Sequence, residues 1–85
     1  MRLEWDEEKN RENKRKHKVS FEEAQTVFFD PLTKIADDPD HGDREDRFIA
    51  VGWSVADRLL LVVHCYRKQN GVVRIISARK LNRRE

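Results

Sequence analysis

Three runs of β-branched and aromatic residues, at 48–53, 59–66 and 72–78, fill most of the second half of the chain, with only short turns between them. Such runs suit the half-buried, pleated surface of a strand. Connections this short favour neighbouring antiparallel strands, because a parallel pair needs a crossover of about a dozen residues or more. Ala56-Asp57 marks one turn. Gln69-Asn70-Gly71 marks the other, with the Asn-Gly pair that hairpin turns prefer. The expectation is a meander of three or four strands.

The first half has a different period. Residues 2–5 read as a short strand. Asp6 then offers a helix N-cap, Glu7 and Glu8 fall in the first turn, and Lys14, Arg15, Lys16 and His17 fall in the last. That order complements the helix dipole, and Glu7 with Arg11 and Glu12 with Lys16 form favourable i,i+4 pairs. Nothing strongly apolar lies between Asp6 and Lys18, so an apolar stripe cannot hold this helix. It is expected to lean on Trp5 and on the methylene stems of its lysines and arginines. Ser20 and Glu23 form a capping box for a second helix, with Val19 stapled to Ala24. Phe21, Ala24, Val27 and Phe28 recur at helical spacing as its buried face, and Asp30-Pro31 ends it. A short strand at 33–36, an acidic loop at 37–46 and the start of a last helix at 80–85 complete the reading. The class is α+β: two N-terminal helices on one face of a small, mostly antiparallel sheet. The other face is left open for a partner or substrate.

At 85 residues the chain is one domain, 1–85. Leu, Ile, Val and Phe total 22, more than a disordered chain carries, but 40% of residues are charged, so the core is thin. The single Cys65 has no internal disulfide partner and sits in an apolar run, as a core residue does in a reducing cytoplasm. The charged N-terminus is unlike a signal peptide, and the apolar run 59–63 is too short to span a bilayer. A cytoplasmic protein without a membrane partner is expected. Charge is unevenly laid out: residues 30–46 hold seven acidic groups against two basic, and residues 58–85 hold eight basic against one acidic. The basic third suits a polyanion such as RNA, or else serves as a solvated face.

Several segments, in order along nearly the whole chain, resemble the BrnT family of type II toxins. They are Trp5-Asp6, Lys9, Asn13, Lys16-His17, Val19-Ser20-Phe21-Glu22-Glu23-Ala24, Asp30-Pro31, Arg47-Phe48-Ile49-Ala50-Val51-Gly52, Leu60-Leu61-Val62-Val63-His64 and Arg74-Ile75-Ile76-Ser77-Ala78-Arg79. The resemblance implies a RelE-like fold and metal-independent endoribonuclease activity with no cofactor. It also implies a BrnA-like antitoxin partner, in a heterotetramer with two antitoxin chains. The chain departs from the family in placing Lys18 where Gly usually follows the Lys-His pair, a position where a helix C-cap favours a left-handed backbone. Its first helix lacks the few apolar residues usual in the family, and the family often runs on into a longer C-terminal helix.

Metal-free RNA cleavage needs a base for the 2′-hydroxyl, cations for the crowded phosphate and a proton for the leaving 5′-oxygen. Arg79, at the end of the last strand, is the first candidate for the phosphate, since its fork matches phosphate oxygens. Arg67 is a further catalytic candidate. Arg74, Lys80, Lys16, Arg83 and Arg84 are candidates for holding the RNA backbone. Strict alternation sets Arg74 and Arg79 on opposite faces unless a bulge intervenes. His64 is the acid–base candidate on intrinsic chemistry, with a half-buried strand histidine as the plainer reading. His17 reads as a helix-end residue, able to pair with Asn13 or cap carbonyls. The acidic loop fits no Ca²⁺ or Zn²⁺ spacing and reads as solvated. A noncatalytic RNA- or protein-binding module using the open basic sheet face is the alternative.

Overall fold

A computed structural model describes residues 1–39, 47–67 and 71–82. The three β-rich runs form the centre of a five-stranded sheet of order β1-β5-β4-β3-β2. β3 (Phe48–Trp53) pairs antiparallel with β4 (Leu59–Arg67), and β4 with β5 (Val72–Lys80). β2 (Lys34–Asp37) adds antiparallel to β3, and β1 (Arg2–Glu4) adds parallel to β5. The β3–β4 turn closes with Asp57 N–H donating to Ser54 O at 3.0 Å and Ser54 N–H to Arg58 O at 2.9 Å. Asp57 itself takes φ 61°. Of the second expected turn, Gln69 and Asn70 lie outside the described residues, while Gly71 has φ 62°.

The first helix, α1 (Glu7–His17), starts at Asp6, whose carboxylate accepts from Glu8 N–H at 2.8 Å. Two amides within it, Asn10 and Asn13, are buried. Asn13 donates to Val19 O at 2.8 Å and to Ala78 O at 2.7 Å, and accepts from Ala78 N–H at 3.0 Å. Asn10 accepts from Phe21 N–H at 2.8 Å and donates to Glu22 at 2.9 Å. These polar contacts tie α1 to β5 and to the next helix, and Trp5 adds the expected apolar support, packing edge-on to Phe21 with ring centroids 6.2 Å apart. The helix ends with Lys18 in the left-handed conformation, φ 60° and ψ 30°, its N–H donating to Lys14 O at 3.0 Å. Lys18 thus takes the backbone geometry that glycine would take without a Cβ penalty.

The second helix is shorter than expected. α2 (Phe21–Ala24) makes one turn and tightens into a 3₁₀ turn, Gln25–Phe29. The Thr26 hydroxyl donates to Glu23 O at 2.7 Å and the Thr33 hydroxyl to Val27 O at 2.6 Å. Hydroxyls that bind helix carbonyls compete with the α-helical ladder. Phe21, Ala24 and Val27 still point inward and join Val19, Ala50, Leu60, Val62, Ile75 and Ala78 in one core. Burying each of the larger side chains is worth roughly 1.5–3 kcal/mol. Ser20 Oγ accepts from Glu23 N–H at 3.0 Å, but the Glu23 carboxylate turns away to the β3–β4 turn. There it accepts from Ser54 Oγ at 2.6 Å and from Arg58 Nε at 2.9 Å, and it forms a further close ion pair with Arg58 Nη2. These bonds hold its pKa below the usual carboxylate range, with the Arg58 contact the largest cause.

The expected last helix does not begin at Lys80. That residue ends β5, and Leu81 N–H donates to Leu59 O at 2.9 Å, continuing the strand ladder. Its backbone is satisfied by β4, and residues 83–85 lie outside the described residues. No described helix is long and apolar enough to cross a membrane.

Candidate functional site

Alternation and register sort the sheet residues onto two faces. Ala50, Val62 and Ala78 are neighbours across β3, β4 and β5, and all three belong to the core. Ile49 with Val63 and Ser77, and Val51 with Leu61 and Arg79, line the opposite face. Ile49, Val51, Leu61 and Val63 there are only partly buried, and Trp53 beside Leu59 is half exposed, whereas Cys65 and Val72 further along the same face are buried.

The register of β5 slips near Val63 and His64: Val63 faces Ser77, but His64 faces Ile75, so Ile76 is the extra residue of a β-bulge. The bulge changes which side chains share a face. Arg74 comes opposite Cys65 and therefore lies on the same side as Ser77 and Arg79. Arg67 lies there too, and Glu4 holds the pair: its carboxylate accepts from Arg74 Nη1 at 2.8 Å and Arg67 Nε at 3.1 Å. The two guanidiniums, Arg74 first, hold the Glu4 pKa below its ordinary value. One carboxylate between two guanidiniums leaves a net positive charge. Arg79 is partly exposed on the same strand face, and Lys34 faces the same side from β2.

His64 is not brought to these arginines. It lies on the core face, fully buried, with Nδ1 at 3.2 Å from Val62 O and Nε2 without a hydrogen-bond partner. Phe28, Phe48 and Tyr66 surround the ring at centroid distances of 4.9, 6.1 and 5.4 Å. Burial lowers its pKa, so the folded protein holds a neutral imidazole. A ring so enclosed has no path to a substrate on the far face, which corrects the expectation drawn from its intrinsic chemistry.

Lys16 lies beside a groove of about 170 Å³ between α1 and β5, lined also by Lys9, Glu12, Asn13, His17, Ile76 and Ser77. Lys80 is exposed at the end of β5, on the opposite face from Arg79. Arg83, Arg84 and residues 40–46 of the acidic loop lie outside the described residues; of the described part, Asp37 ends β2 and Asp38 is buried rather than solvated, its N–H donating to Arg47 O at 2.9 Å. His17 does not pair with Asn13, whose amide is taken up by Val19 and Ala78. Among the described residues no cluster of three or more His, Cys, Asp or Glu is placed to hold a metal ion. The groove escaped the sequence reading, and the bulge entered it only as the exception to strict alternation. Their one signal is that residues 72–76 fail to alternate, with Val72-Val73 and Ile75-Ile76 as adjacent apolar pairs.

The fold matches the 1.1 Å crystal structure of the Brucella abortus ribonuclease toxin BrnT, with a TM-score of 0.69 and 21% identity over 98% of this chain and 99% of that one. No curated protein matches the chain. The family model of the ribonuclease toxin BrnT, of type II toxin–antitoxin systems, matches residues 5–85. With that match over nearly its whole length, the chain belongs to the BrnT family of ribonuclease toxins, enzymes of type II toxin–antitoxin systems that act on RNA and are paired with an antitoxin.

Proposed function

We propose that this toxin cleaves RNA internally without a metal ion, through guanidinium groups presented by β5 and its neighbours. The observation that carries this reading is the bulge at Ile76, which brings Arg74 onto the sheet face that already carries Arg67 and Arg79. Arg79 is the group that stabilises the charged phosphate as the 2′-oxygen attacks, because a preorganised guanidinium acts most strongly where charge develops. Arg67, the other catalytic candidate, pairs with Val72 at the far end of the β4–β5 ladder, roughly 20 Å from Arg79, and in this reading it tracks the bound strand beside Arg74. Arg74 and Lys16 hold the backbone of the bound strand, Lys80 meets it where it passes round the end of β5, and Arg83 and Arg84 extend that set by sequence. The fold in this reading is the RelE-like one that the resemblance implies, with arginine and lysine carrying the chemistry. The partner in this reading is a BrnA-like antitoxin, in a cytoplasmic heterotetramer with two antitoxin chains. Partly exposed Ile49, Val51, Leu61 and Val63, with half-exposed Trp53, supply apolar area on the face that an antitoxin would cover to exclude RNA.

The test is cleavage of end-labelled RNA in chelator by the parent and by Arg79→Ala. The expected result is cleavage by the parent and a loss of about 100-fold or more in the variant, the scale of removing one transition-state donor, with folding unchanged by circular dichroism. Cleavage that stops in chelator removes the metal-free mechanism. Salt-sensitive binding without cleavage by the parent favours a noncatalytic binding module on the same face.

A further inference from the structure

We propose that the groove between α1 and the bulge of β5 holds the scissile phosphodiester, with His17 taking the proton of the 2′-hydroxyl and Lys9 and Lys16 flanking the phosphate. This rests on the ribonuclease reading above and adds to it the proton acceptor that the arginine face lacks. Of the two histidines among the described residues, His64 is sealed in the core and His17 is exposed. His17 lines an open groove with two lysines, in space for a phosphodiester and part of its ribose.

Lys9 and Lys16 stand seven residues apart, about two helical turns and roughly 10 Å along one side of α1. Glu12 is the groove's one carboxylate, and it is paired with Arg15 at 2.9 Å. Ile76 and Ser77 close the other side without charge. The titratable groups that line the groove with His17 are Lys9, Glu12 and Lys16 from α1, and the nearest charged group on the β5 side is Arg79, two residues beyond Ser77. The three hydrogen bonds of Asn13 to Val19 and Ala78 fix the spacing of the two walls. Ser77 lines the groove and shares a strand face with Arg79 two residues on, roughly 7 Å away. Arg79 does not line the groove, and in this proposal its long side chain reaches the phosphate past Ser77.

The step balances with these groups alone. Neutral His17 removes the 2′-hydroxyl proton as the 2′-oxygen bonds to phosphorus. The bond from phosphorus to the 5′-oxygen breaks, and that oxygen takes a proton from the ammonium of Lys9 or Lys16. The products are a 2′,3′-cyclic phosphate end and a 5′-hydroxyl end. The protonated imidazole then returns its proton to the lysine through solvent.

The experiment measures pH–rate profiles of the full chain on labelled RNA, both free and ribosome-bound, for the parent, His17→Gln and His17→Ala. The expected result is a loss of about 100-fold or more in His17→Gln, with the limb that rises through the neutral range abolished. Added imidazole is expected to restore part of the activity of His17→Ala. A parent that cuts beside a folded His17→Gln of equal rate and equal pH profile overturns the inference and leaves the ribonuclease reading standing. A parent that cuts neither substrate overturns both.

Discussion

The side chain of Asn13 meets three backbone groups in a place where water does not reach: Val19 O, Ala78 O and Ala78 N–H. A carboxamide carries both a donor and an acceptor, so it can satisfy both groups of a strand residue at once. Asn10 does the same work one helical turn earlier by taking the N–H of Phe21. Truncating Asn13→Ala strands buried backbone donors and acceptors, each costing about 1–3 kcal/mol. Chemical denaturation is expected to show a loss of about 2–4 kcal/mol, far above what an exposed helix position gives. At the end of the same helix Lys18 pays for a left-handed backbone that costs a residue with a Cβ about 1–2 kcal/mol. Lys18→Gly is therefore expected to raise stability by about 1 kcal/mol, offset in part by glycine's freer unfolded chain. An unchanged denaturation midpoint would show that Lys18's own contacts, such as its ammonium to Arg15 O, compensate for the strain.

Among the elements, β3 lies close against the 3₁₀ turn and the segment after it at Gly52. A Cβ there would sit 2.0 Å from Thr33 Oγ1 and 3.1 Å from Val27. Thr33 is itself committed to Val27 O, so it cannot turn aside without losing that bond. Gly52→Ala is expected to destabilise the fold by about 1–3 kcal/mol, the ordinary cost of overpacking, measured as a lowered midpoint of thermal unfolding. The meander itself was legible because β-branched runs and short turns leave few alternatives. The start of α1 and the inward set Phe21, Ala24 and Val27 were legible from capping chemistry and spacing. The length of the second helix was not, because whether Thr26 and Thr33 bind helix carbonyls depends on where the chain returns. The bulge was not legible either: the slip is fixed by which of Ile75 and Ile76 finds room in the core, a question of packing. Hence alternation alone set Arg74 on the wrong side of Arg79, and chemistry alone favoured His64 over the exposed His17.

The whole molecule divides its two faces by chemistry, and one consequence is a graded response to acid. His64 is held neutral in the folded state by burial, whereas in the unfolded chain it protonates near its ordinary value of about 6.5. Stability is therefore full above that value and declines as pH falls below it, since the unfolded chain then binds the extra proton. The Glu23 carboxylate acts in a second, lower window. Its folded pKa is depressed, so its contribution is present above the ordinary carboxylate range and is lost as pH falls through the depressed value. The urea midpoint is expected to fall between pH 7.5 and 5.5, and His64→Leu is expected to flatten that fall. A slope unchanged in the variant would assign the acid response elsewhere. The contact between Asn13 and Ala78 has a further meaning at this scale. β1 covers β5 only at residues 72–74, and beyond them the edge of β5 is met by the Asn13 carboxamide, which stands in for a missing strand. A strand edge bearing Ile75 and Ile76 is a template on which another chain can add. The amide thus acts as a stopper against open-ended assembly, and a population of molecules without it would be expected to drift toward fibrils as well as toward unfolding.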